Sequence, residues 1–149
     1  MQPIPRAALL LGLAGLLPFV WSLATQISAP LADIGLSTLG PRYVGPFVGL
    51  QYGTIILAFM AGVLWGFATK AQTAANICYA LSVIPALWAF FLVGDGPTSS
   101  AIFLAIGFIG LLGLDFVYWQ YGLTPPWWMR LRMLLTGGVV TCLTLTALI

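Results

Sequence analysis

Only one charged side chain, Asp115, lies within an apolar stretch of this chain, so any chemistry at membrane depth starts there. A charge at the centre of a membrane helix costs about 2.5–3.5 kcal/mol on insertion scales, which makes such a residue a functional candidate by default. Asp115 precedes Tyr121 by six residues, about 9 Å of helix at ~1.5 Å per residue, so it is not central. Arg130 and Arg132 fall at the same end, and the expected arrangement is an internal ion pair between Asp115 and one of these arginines, joining the fourth span to the fifth. Proton relay is the competing use. It lacks a second titratable partner, because Asp33 and Asp95 fall at the opposite end.

The absent residue types exclude more. With no histidine and no glutamate, the chain has no Ser/His/Asp triad, no imidazole-ligated haem, chlorophyll or zinc, and no glutamate-based acid/base pair. Cys78 and Cys142 lie in apolar spans without CxxC spacing and read as reduced packing residues. Their expected depths differ by roughly 8 Å, beyond the ~7 Å Cα limit for a disulfide. No catalytic residue and no metal site are expected, and a bound lipid, quinone or carotenoid is the only cofactor left open. For such a ligand the aromatic candidates are Trp65 and Trp88, although the cluster Trp88, Phe90 and Phe91 reads first as lipid-facing.

The elements that position these residues follow from composition. Of 149 residues 61% are hydrophobic and 5% charged, and the mean hydropathy is +1.07, whereas about a quarter of the residues in soluble domains are charged. A single all-α membrane domain is expected over residues 1–149, too short to carry a separate catalytic or nucleic-acid-binding domain. Its five spans run over residues 7–27, 47–68, 74–93, 99–121 and 133–149, each near the ~20 residues a membrane helix needs. The first run follows Arg6 like a signal sequence, but it continues past the small-x-small triplet Ser22-Leu23-Ala24 and reads as a retained helix. Pro18 and Pro85 should kink the first and third spans. The connection from Ser28 to Val44 is the longest, and Leu31, Ile34 and Leu39 could form a short interfacial helix, against which Gly35 and Gly40 argue.

Five spans put Arg6, Lys70, Arg130 and Arg132 at one end and Arg42 alone at the other, which predicts the amino terminus inside and the carboxyl terminus outside. Trp127 and Trp128 read as interfacial anchors at the inner end of the fifth span. Gly45, Gly49 and Gly53 recur every fourth residue ahead of Ala58, Gly62 and Gly66, with a second row at Gly107, Gly110 and Gly113. Such rows let helices approach closely in lipid, either within the bundle or against a partner subunit.

The runs PRAALLLGLAGLLPFVW at 5–21, YGTIILAFMAGVLWGFA at 52–68, SVIPALWAF at 82–90 and PPWWMRLRMLLTGGV at 125–139 resemble the transmembrane protein 69 family. These are small multi-span proteins of proteobacteria and mitochondria, with a domain of unknown function. The resemblance covers essentially the whole chain and implies an energy-transducing inner membrane, but no activity. The short leader has no Arg/Ser-rich transit peptide, so the expected setting is a bacterial inner membrane, or the mitochondrial inner membrane if the chain is eukaryotic. The expected role is a non-catalytic accessory or assembly-stabilising subunit, packed against a larger respiratory or photosynthetic complex through Gly45, Gly49, Gly53, Gly62 and Gly66 of the second span. Its expected partners are membrane lipids and that complex, not nucleic acid. Two alternatives stand beside it: a small transporter or channel, with a polar path through Gln51, Asn76 and Asp115, and a lipid, quinone or carotenoid binder.

Overall fold

Residues 2–149 are described by a computed structural model in which the described secondary structure is entirely helical. Five helical stretches are long and apolar enough to cross a membrane: Arg6–Ile27, Pro46–Ala68, Ala75–Leu92, Pro97–Gln120 and Trp128–Leu148. The protein is a multi-pass helical membrane protein.

Two spans are broken. The first comprises α1 (Arg6–Ala14) and α2 (Leu17–Ile27), and the third comprises α5 (Ala75–Ser82) and α6 (Ile84–Leu92). Pro18 and Pro85 sit in the first turns of α2 and α6, where the amide hydrogen that proline lacks would be unpaired anyway. Each break therefore lies just before the proline.

The unbroken spans are α4 (Pro46–Ala68), α7 (Pro97–Gln120) and α8 (Trp128–Leu148). Helices α4 and α7 pack on each other at the centre, with α5 and α6 against both. Helix α8 runs along α7 and closes the bundle against α1 and α2. Leu57 and Leu64 of α4 and Leu104, Phe108 and Leu111 of α7 fill the core, and Phe19 joins it edge-on to Phe108, with ring centroids 6.2 Å apart.

The fifth span starts at Trp128 rather than Met133. A run bearing Arg130 and Arg132 reads as a loop, yet Arg132 is only 5% exposed, so here a charge lies within the helix instead of ending it. The long connection does contain a helix, α3 (Ala29–Thr38), capped by Ser28 and leaving Leu31, Ile34 and Leu39 exposed. Gly35 does not disrupt it. A Cβ there would lie 2.8 Å from Val44 Cγ2 and 2.9 Å from Trp21 Cζ2, so the glycine lets α3 lie close against α2.

Candidate functional site

Helices α7 and α8 bring together the buried side chains of Asp115 and Arg132. Asp115 is completely buried, and Arg132 donates from Nε to its Oδ2 at 2.8 Å. Trp128 donates from Nε1 to Oδ1, also at 2.8 Å, so each carboxylate oxygen has its own donor. Charge-assisted bonds of this kind are the stronger class of protein hydrogen bond. Trp128, Arg132 and Thr136 recur every fourth residue and so share one face of α8. The indole is also seated edge-on against Phe67 of α4, with ring centroids 5.0 Å apart, so the cluster joins three helices.

Two expectations change here. Trp128 is a hydrogen-bond partner of Asp115 rather than only an interfacial anchor, while Trp127 stays partly exposed beside it. Arg130 takes no part in the ion pair; it is exposed and donates from Nη2 to the backbone carbonyl of Gln2. The four-residue spacing of Trp128, Arg132 and Thr136 could have identified the partner, since Arg130 lies two residues, about 200° of helix, away from Arg132. Arg132 Nη2 and Thr136 Oγ1 are buried without a protein partner, so each can still bond a water or ligand oxygen.

The glycines of the second span, at the start of and along α4, do not form one face. Gly49 and Gly53 are buried inside the bundle: a Cβ at Gly49 would lie 2.9 Å from Ser22 Oγ, and one at Gly53 would lie 3.2 Å from both Leu104 Cδ1 and Phe19 Cε1. Gly45 serves a backbone purpose. Its φ is +93°, its N–H donates to Thr25 Oγ1 at 3.0 Å, and its carbonyl accepts from Ser22 Oγ at 2.8 Å. That clamp, unrecognised in the sequence, pins the start of α4 to α2. Gly62 and Gly66 face outward, and a Cβ at either would meet nothing within 4 Å. In the second row Gly107 is buried against Trp88 and Leu57, whereas Gly110 and Gly113 are open.

The suggested polar path is not assembled, because Gln51 near the start of α4 and Asn76 in α5 are both exposed and Asp115 is buried. Trp65 and Trp88 are separated as well. Trp65 packs against Tyr79 at 4.8 Å, and Trp88 donates to the carbonyl of Phe103 at 2.7 Å. No group of three or more His, Cys, Asp or Glu side chains able to share a metal ion occurs among the described residues. Tyr118, fully buried, donates to the carbonyl of Cys78 and ties α7 to α5. A carboxylate bonded on both oxygens to two donors of a neighbouring helix can hold α7 and α8 in register.

A family model described as "Protein of unknown function (DUF3429)" matches residues 4–148. The chain is 34% identical over 144 residues to "Transmembrane protein 69" of Xenopus tropicalis, covering 91% of this chain and 51% of that protein. It is 30% identical over 138 residues to "Transmembrane protein 69" of Mus musculus, covering 89% and 51%. The chain thus spans about half the length of these curated relatives. No solved structure matches it. The chain therefore belongs to the transmembrane protein 69 family, whose family model describes a protein of unknown function.

Proposed function

We propose that this protein is a non-catalytic accessory subunit that packs against a larger complex of an energy-transducing inner membrane, respiratory or photosynthetic, with its amino terminus inside. The reading rests on one observation above all: Ala58, Gly62 and Gly66 form a small-residue row on α4 that is exposed and that no helix among the described residues covers. In lipid, such a row favours close packing of another helix, since association there depends on contact rather than on exclusion from water. Gly49 and Gly53, two of the five glycines expected to dock, are used up by the bundle itself, so the partner face is the half of α4 nearer the Lys70 loop. The buried polar residues support the same reading. Asp115 is bonded to two donors within the bundle, and Gln51 and Asn76 lie away from it on the surface, an arrangement suited to a structural tie and not to a conduction path.

Purification from native membranes in a mild detergent, followed by native electrophoresis and mass spectrometry, tests this role. A discrete assembly containing this chain and the same integral membrane proteins in fixed ratio is expected. A chain that runs alone from fresh membranes, and that carries solute or proton flux in vesicles, would place it among transporters instead.

A further inference from the structure

The break between α1 and α2 opens the outer face of the first span, and the strap formed by α3 and the following turn lies across it. Between them is a groove of about 540 Å³, walled by Leu17, Val20 and Ala24 of α2 on one side and by Leu39 and Val48 on the other. The indole N–H of Trp21 in its wall is already satisfied, donating to the carbonyl of Tyr43 at 2.7 Å. A second depression of about 270 Å³ shares Pro18, Tyr43 and Val48 with the first and adds Arg42, Gln51 and Tyr52. The two adjoin at these shared residues. Together they form one apolar channel with a cationic, hydrogen-bonding mouth.

The mouth is charged in one sense only. Among the described residues the single ion pair is Asp115 with Arg132, so Arg42 is unpaired, its guanidinium lying 5.8 Å from the centroid of the Tyr43 ring. Asp33 and Asp95, the carboxylates at this end of the bundle, line neither depression. The clamp of Gly45 by Ser22 and Thr25 holds the neighbouring Tyr43 and Arg42 beside the last two turns of α2. Ser22 is five residues short of the helix end at Ile27, about 8 Å at ~1.5 Å per residue, so the clamp lies near one end of the first span. Arginine and aromatic side chains are suited to such a position, with a buried stem or ring and a polar tip in the interface.

We infer that this groove is a binding site for one anionic phospholipid of the adjacent leaflet, with an acyl chain between α2 and the strap and the phosphodiester at Arg42. The apolar walls select a hydrocarbon chain, and the unpaired guanidinium selects negative charge over a zwitterion. Gln51, exposed and lining the second depression with Arg42, is placed to bond the glycerol ester region. This site is separate from the α4 row of Ala58, Gly62 and Gly66 and does not depend on a protein partner.

The test is native mass spectrometry of the purified chain in nonionic detergent with equimolar phosphatidylglycerol and phosphatidylcholine of identical chains. The phosphatidylglycerol adduct should exceed the phosphatidylcholine adduct about five-fold, the selectivity of one arginine near a membrane surface. Arg42→Gln should bring the ratio to about one while leaving a bound lipid. Val20→Trp, at a half-exposed groove position where a larger ring leaves the core untouched, should diminish both adducts. Circular dichroism of each variant confirms an intact helical fold. A wild-type ratio near one, a preference that survives Arg42→Gln, or displacement of phosphatidylglycerol by an equal concentration of a neutral quinone would each overturn the inference.

Discussion

Removing both members of the Asp115–Arg132 pair should destabilise the bundle no more than removing one. Asp115 is fully buried and Arg132 is 5% exposed, so Asp115→Asn leaves an arginine charge inside the bundle with no counter-charge. Breaking a buried pair from one side costs about 3–5 kcal/mol, and Arg132→Gln should cost a similar amount by stranding the carboxylate. Independent effects would add to about 6–10 kcal/mol in the double variant. A true pair behaves otherwise: once either charge is gone, removing the second relieves the burial penalty, and Asp115→Asn/Arg132→Gln should cost no more than either single change. Trp128→Phe keeps the ring against Phe67 but removes the bond to Oδ1, a loss of about 1.5–3 kcal/mol for a bond to a charged group. Reversible unfolding in mixed micelles, followed by circular dichroism, measures the cycle. Additivity within about 0.5 kcal/mol would refute the reasoning, since it would mean that the two side chains do not share an interaction. The same cycle with Arg130→Gln in place of Arg132→Gln should be additive, because Arg130 is exposed and bonded elsewhere.

Gly53→Leu should reduce the thermal stability of the isolated chain, because even its Cβ would stand 3.2 Å from Leu104 and Phe19; wild-type stability in micelles would show that α2, α4 and α7 are not packed as described. Cys78 and Cys142 are both free, and thiol titration of the denatured, unreduced chain should return two thiols, whereas none would signal a disulfide and wrong helix registers. Reporter fusions after Thr69 and Ile149 should place the Lys70 loop in the cytoplasm and the carboxyl terminus outside, and a cytoplasm-only reporter active at Ile149 would contradict that orientation.

The number of spans was legible because five apolar runs of near-membrane length are separated by Pro, Gly and charge, and the structure has five spans close to them. The start of the fifth was not, since Arg130 and Arg132 look alike to hydropathy and only partnership with Asp115 distinguishes the buried one. The same blindness turned Trp128 into a belt residue: its type suits an interface, but its position one turn before Arg132 aims it at the carboxylate. The glycines failed for another reason. A four-residue spacing shows that small residues share a stripe, but neither which neighbour approaches nor that the stripe rotates along a 23-residue helix from the bundle interior at Gly49 to its exterior at Gly66. The Ser22 and Thr25 clamp left no hydropathy signal, since two small hydroxyls in an apolar helix commonly bond to their own backbone.

Seating of a partner helix on the outward face of α4 can be probed by native electrophoresis of membranes from cells carrying Gly62→Leu together with Gly66→Leu. Both positions are open, so the bundle should insert and unfold as the wild type does, while the bulky side chains block close approach of another backbone. The predicted result is wild-type abundance of the variant in the membrane and its loss from the large assembly. Wild-type co-migration of the variant with that assembly would contradict such seating.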